Sequence, residues 1–321
     1  MTWRGADFFP HDLKFPFSKW MPFCVIGSLV LNALSLGLAV TRGINFSIDF
    51  KGGSLIEIHN KTGVADVAAL RAKLGALGVG TPQIQAFDDG SNVLIRLEQQ
   101  PGGDTAQNAA IDKVKGALGD TVEYRRADSV GPTVSGEITQ TAFYAVAASL
   151  VAISAYVWFR FEWQFALGAS LALVHDVLMT VGLFALTQLE FDNNCIAALL
   201  TIVGYSINDT VVVSDRIREN LRKYKKMLLP ELIDMSINTT LSRTVLTAGT
   251  VILVLTAFVL LGGSVTRSFI IAMLFGIFTG TYSSIFIASP VLEWLGVKRD
   301  WSGAAAATTA GNKAGTSTKS A

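Results

Sequence analysis

The chain has 321 residues, 50% of them apolar and 16% charged, with a formal net charge of +1. A soluble domain is usually about a quarter charged, so this composition excludes an ordinary water-soluble fold and points to the membrane. Cys24 and Cys195 fall inside apolar runs, and His11, His59 and His175 are scattered. Neither a disulfide framework nor a metal site is therefore predicted.

Residues 1–20 carry charges of both signs, and no small-residue cleavage pattern follows the first apolar run. The expectation is a cytoplasmic segment leading into a retained anchor. A hydrocarbon core of about 30 Å needs about 20 apolar residues as helix. Residues 21–41, 138–159, 163–187, 193–214, 241–263 and 267–292 meet that need, which predicts six spans. Arg4, Lys14 and Lys19 precede the first span and Arg160 follows the second. Arg216, Arg218, Arg222, Lys223, Lys225 and Lys226 follow the fourth, and Lys298, Arg299, Lys313 and Lys319 lie in the tail. The short loops after the third and fifth spans carry no Lys or Arg. The positive-inside rule then predicts a multi-pass membrane protein with both termini cytoplasmic.

Residues 42–137 do not suit a membrane, with ten basic and twelve acidic side chains. Leu55, Ile56 and Ile58 read as a strand, while Val64, Val67, Leu70, Leu74 and Leu77 fall on one helix face. Ile84 and Ala86, a turn at Asp88-Asp89-Gly90, and Val93, Ile95 and Leu97 read as a hairpin. Ile111, Val114 and Leu118 mark a second helix face, and Val122 and Tyr124 a last strand. The order βαββαβ predicts an α+β ferredoxin-like domain, exported because it lies between spans one and two. Residues 215–240 form a basic loop. Within it Leu228, Leu229, Leu232, Ile233 and Ile237 alternate with Glu231 and Asp234, which predicts an amphipathic helix on the inner membrane surface. The tail, 293–321, is largely Ala, Thr, Gly, Ser and Lys and is expected to be disordered.

Ionisable groups inside spans cost about 2.5–3.5 kcal/mol each on insertion scales, so they mark a partner or a task. Asp209 in the fourth span and Arg243 at the start of the fifth are expected at similar depth, as a pair. That pair reads either as a staple between helices or as a protonation switch. Tyr205, Ser206, Asn208 and Thr210 surround Asp209, and Asn238, Thr239, Thr240, Ser242 and Thr244 surround Arg243. This supply of hydroxyl and amide groups favours proton transfer. His175 and Asp176 in the third span read as an interhelical hydrogen bond or as a second proton station. Gly276 and Gly280 form a GxxxG pair beside Thr279, Ser283 and Ser284, which predicts close helix packing.

The string GYSINDTVVVSDRIREN, from Gly204 to Asn220, resembles the fourth-helix signature of the SecF family, the export-motor subunits related to the resistance-nodulation-division transporters. IDFKGG from Ile48 to Gly53, VGPTVSGE from Val130 to Glu137, and the His175-Asp176 pair also match. The resemblance covers about residues 14 to 298. It implies a six-helix half-transporter that pairs with SecD and assists late-stage translocation with the SecYEG translocon in the bacterial inner membrane. YajC and the membrane insertase are further implied partners, an unfolded polypeptide is the passenger, and no nucleic acid is expected. It also implies that Asp209 and Arg243 occupy the family's proton-conducting positions. Asp49, Phe50, Gly52, Gly53, Gly131 and Pro132 match its structural motifs. Protons are the coupling ion and no cofactor is expected. The chain lacks a catalytic constellation and a Walker-type phosphate loop, so no enzyme activity is predicted. Two alternatives share the topology: a proton-coupled small-molecule efflux subunit, and a non-conducting scaffold of the translocase.

Overall fold

The computed structural model describes residues 14–297, apart from 62, 88, 262, 264 and 265. The expectations for residues 1–13, His11 included, and for the tail from 298 onward lie outside the described residues. Helix α1 (Phe17–Thr41) leads to a single turn, α2 (Ile48–Lys51), and then to strand β1 (Gly53–Asn60). Helix α3 (Val67–Gly75), strands β2 (Gln83–Phe87) and β3 (Asn92–Leu97), helix α4 (Gly103–Leu118) and strand β4 (Val122–Val130) complete a compact unit. The long helices α5 (Pro132–Arg160), α6 (Trp163–Thr187), α7 (Asn193–Lys223) and α8 (Leu229–Leu261) follow. Helix α9 (Arg267–Ser283) continues through a widened π-turn, Ser284 to Ala288, into α10 (Ser289–Leu295).

Six of these segments are long and apolar enough to cross a membrane: α1, α5, α6, α7, α8 and the run from α9 to α10. Only 11–17% of the apolar stretches of α1, α5 and α8 is buried, against 44–50% for α6, α7 and α9–α10. The latter three therefore form the centre of the bundle. Their inward faces carry small residues: Gly168, Ala169, Ala172 and Gly182 on α6, Ala198 and Ser206 on α7, and Gly276 and Gly280 on α9. Lipid tails are as apolar as leucine, so association in a bilayer relies on close backbone approach rather than on hydrophobic expulsion. A Cβ at Gly276 would overlap Ile202, and one at Gly280 would press on Ser206. The expected close packing at this pair is what the structure holds.

The sheet runs β2-β3-β1-β4, with every neighbour antiparallel. Alternation carries Ile56, Ile58, Val93 and Ile95 to one face, where they bury against Leu74 of α3 and Val114 and Leu118 of α4. Asp66 starts α3 by accepting hydrogen bonds from the amides of Ala68 (2.9 Å) and Ala69 (3.0 Å). The sequence motif around Gly52 and Gly53 is the hinge into this unit. Gly53 has φ +117°, and a Cβ there would strike the Leu97 carbonyl, so only glycine lets the start of β1 pass this close to the end of β3. At the far end, Gly131 caps α5 and Pro132 takes its first turn, where a missing N–H costs nothing.

One expected element differs. The amphipathic segment after Lys223 is not a separate surface helix but the first turns of α8, which runs unbroken for 33 residues. Leu232, Ile233 and Ile237 are buried against Ile217 and Leu221 of α7 and Phe17 and Met21 of α1. The protein itself supplies the apolar surface that the membrane was expected to supply. Hydrogen bonds hold this junction: Ser18 donates to Asp234 through both its amide and its hydroxyl, and Asn220 donates to Ser236 at 2.8 Å.

Candidate functional site

The centre of the bundle is organised around Asp176, which is fully buried halfway along α6. Ser206 of α7 donates to its Oδ2 at 2.5 Å and Ser283 of α9 donates to the same oxygen at 2.8 Å. Nδ1 of the neighbouring His175 lies 3.0 Å from Oδ1. Two sequence-distant serines reach one carboxylate because α9 approaches α7 over Gly280, directly beside Ser206. No lysine or arginine contacts Asp176 among the described residues. Hydroxyl donors meet the cost of holding this group away from water.

Further hydroxyls lie beside this cluster. Ser284 lies 3.5 Å from the carbonyl of Ser206, and its hydroxyl meets that of Thr210 at 3.0 Å. Ser284 opens the π-turn, and its own carbonyl accepts a hydrogen bond from Ser289 at 3.3 Å. Such turns widen a helix and often sit at functional positions. Next to Thr210 is Asp209, also buried, whose Oδ2 accepts from Thr281 of α9 at 3.4 Å. Tyr282 ties α1 in by donating to the Cys24 carbonyl and meeting the Ser28 hydroxyl, both at 2.9 Å. Its ring lies 6.0 Å from that of His175. The arrangement is two buried carboxylates on adjacent helices, each accepting from a hydroxyl of α9, with the Ser284–Thr210 contact lying between them.

The expected Asp209–Arg243 contact is absent: no cation lies within ion-pair distance of Asp209 among the described residues. Arg243 is exposed on α8. The buried stripe of α8 here is Thr240, Thr244 and Ala248, and Arg243 stands one residue off it. Asn208 is likewise outside the site, in a groove facing α5, because it is a third of a turn from Asp209. Tyr205 packs into an apolar cluster with Ala248, Ile270 and Ile277. His175, Asp176, Ser206, Asp209 and Thr210 do come together. Thr281, Tyr282 and Ser28 join the site beyond the residues expected from sequence, and Thr279 to Ser284 is a polar run in an apolar span.

The sheet unit is fastened to the start of α7. Asp49 Oδ2 accepts from the amide of Asn193 at 2.9 Å, adding a second cap to the one Asp192 gives Cys195. The Ser47 amide donates to the Phe191 carbonyl at 3.0 Å, and the Phe191 amide donates to Asn45 at 2.9 Å. The rings of Phe46, Phe50 and Phe191 lie 5.5–5.6 Å apart. Arg96 of β3 forms an ion pair with Glu190 in the turn between α6 and α7. Burial pushes the Glu190 carboxyl up, Asp192 and Asp49 push the same way, and Arg96 opposes them. Asp49, Phe50 and the glycines are thus a joint between layers. No cluster of His, Cys, Asp or Glu suited to a metal occurs among the described residues.

A family profile described as "Protein export membrane protein SecD/SecF, C-terminal" matches residues 110–298, and one described as "SecD/SecF GG Motif" matches residues 37–59. The chain belongs to the SecF family of protein translocase subunits. The protein translocase subunit SecF of Rhodobacter capsulatus is 44% identical, over 91% of this chain and 92% of that one. That of Cereibacter sphaeroides is 45% identical over 85% and 86%. The crystal structure of SecDF, a translocon-associated membrane protein from Thermus, is 37% identical and superposes with a TM-score of 0.80. It is covered over 39% of its length by 89% of this chain, so the chain corresponds to one part of a longer fused protein. The fused translocase subunit SecDF of Brucella abortus shows the same proportion, 41% identical over 92% of this chain and 39% of that one.

Proposed function

We propose that this subunit of the SecDF translocase moves protons through its own bundle and uses them to drive the sheet unit. The observation that carries the reading is Asp176, a fully buried carboxylate held by serines from two other helices, with a second buried carboxylate, Asp209, on the adjacent helix. A membrane potential supplies about 2.3 kcal/mol per charge per 100 mV, more than a single hydrogen bond within the bundle is worth. Taking up a proton at Asp176 removes an acceptor that α7 and α9 share, and losing it restores the lock. The first turn of α7 is capped by Asp49, so movement of α7 is delivered to the sheet. On this reading the sheet faces the trans side of the inner membrane, both termini are cytoplasmic, and the sheet holds a translocating polypeptide. SecD completes the bundle, closing over the side on which Arg243 stands exposed, with SecYEG as the channel served. Asp209 and Arg243 are not in contact, so neither a staple nor a switch built on that pair is part of this reading.

The test is export driven by an imposed proton gradient in vesicles holding the chain with its SecD-family partner and the channel. Asp176→Asn and Asp209→Asn should each abolish the gradient-driven component while leaving assembly intact. Undiminished gradient-driven export in both variants rejects the proton reading.

A further inference from the structure

At the end of the bundle where α7 stops, Arg160, Arg218, Arg222 and Lys223 line an open concavity of about 580 Å3, together with Asp215 and Glu219. Positive charge is in excess. Asp215 lies 3.7 Å from Arg160, and Glu219 is engaged by Arg216 at 2.9 Å. Arg160 and Arg218 are both laid over the ring of Phe161, 5.1 and 5.6 Å from its centroid. Arg218 also donates to the Arg160 carbonyl at 3.4 Å. Topology alone requires basic residues at this end of the bundle, but not that they line one hollow with two guanidinia stacked on a single ring.

A second hollow continues the first along the same two helices. Ala152, Ile153 and Tyr156 of α5 and Ile207, Asn208 and Val211 of α7 line a mainly apolar groove of about 400 Å3. Tyr156 and Val211 each precede a residue of the basic hollow, Arg160 and Asp215, by four positions, or about 6 Å of helix. Trp158, Phe159 and Trp163 are 53–93% exposed beside the junction, where aromatic rings mark the headgroup level of a bilayer. The shape is a cationic hollow at the membrane surface opening into an apolar channel within it.

We infer that the α5–α7 groove is a binding site for one anionic glycerophospholipid, its phosphate in the basic hollow and an acyl chain along Ala152, Ile153 and Val211. Basic pockets between helices at this level recognise acidic headgroups, at about 1 kcal/mol per cation near the surface. Neither hollow belongs to the Asp176 cluster, so the site stands whether or not the proton reading does.

The experiment titrates the full chain, purified and delipidated together with its SecD-family partner, with phosphatidylglycerol or phosphatidylcholine of matched acyl chains. Retention is read by native mass spectrometry. One phosphatidylglycerol is expected to be held with at least about tenfold lower Kd than phosphatidylcholine. Arg218→Gln with Arg222→Gln should remove that preference. Lys225→Gln with Lys226→Gln, the same charge change just beyond the end of α7, should preserve it. Ala152→Trp fills the groove from the exposed side of α5 and should weaken retention without any change in charge. Equal affinity for the two lipids, equal loss in both charge variants, full retention in Ala152→Trp, or displacement by inorganic phosphate would each overturn the inference.

Discussion

The sheet unit and the centre of the helical bundle are held together by different means. The sheet unit excludes water from large aliphatics, with Ile56, Ile58, Leu74, Val93, Ile95 and Val114 all fully or nearly fully buried. The bundle buries Ala172, Asp176, Thr180, Ser206, Thr210, Gly276, Ser283 and Ser284 at its centre and turns many of its large apolar side chains outward. In water the first arrangement gains about 25 cal/mol for each Å2 of apolar surface buried. In lipid that gain is absent, so contact depends on small residues and on hydrogen bonds between helices. Packing and chemistry therefore share the same residues in the bundle and are separate in the sheet unit.

Substitutions test that contrast. The largest effect is expected from Gly276→Leu, whose side chain must displace Ile202 and part α9 from α7. Gradient-driven export should be lost together with the helix contact, read as a loss of cross-linking between cysteines placed on α7 and α9. Ile56→Ala should cost about 2–5 kcal/mol through the cavity it leaves, seen as faster amide exchange confined to the sheet. Exchange rising equally in the bundle would show that the two regions are not independent. Ser283→Ala removes one of two hydroxyl donors to Asp176 and should cost about 0.6–1.7 kcal/mol, with export partly reduced. An effect on stability with no effect on export would separate packing from chemistry at that position.

The smallest expected effect is at the joint. Burial raises Glu190, so the docked sheet binds its proton more tightly than an undocked one would. This contribution is present at low pH and is lost as pH rises through the elevated carboxylate range. Protease protection of the segment around Arg96 should therefore weaken slightly with rising pH, and Glu190→Gln should flatten the slope. An unchanged slope in that variant would assign the pH dependence to another group.

How much was legible follows the same division. The hairpin around Gly90 and the helix faces of α3 and α4 are written in alternation and in helical spacing, because burial in water selects large apolar side chains at regular intervals. Asp176 stood out as a carboxylate in an apolar span. Its partners did not, since Ser206 and Ser283 lie 30 and 107 residues away and look like any serines in a membrane helix. Arg243 was expected to face Asp209 from depth alone, but depth does not give azimuth, and the side chain stands off the buried stripe. The ion pair of Arg96 with Glu190 joins residues 94 apart with no motif around either. The apolar face of the first turns of α8 was legible, but what covers it was not.

Asp49 lies in the short turn that launches the first strand, yet its carboxylate terminates a helix that extends about 45 Å in the other direction. Drawing the strand layer away from the bundle would strip that terminus of one of its acceptors and leave a backbone amide bare. The leading end of α7 is thus answerable to a residue outside the bundle, and a pull exerted on the sheet by a passing chain would be felt along the helix that carries Asp209, just as a shift of that helix would be felt by the sheet.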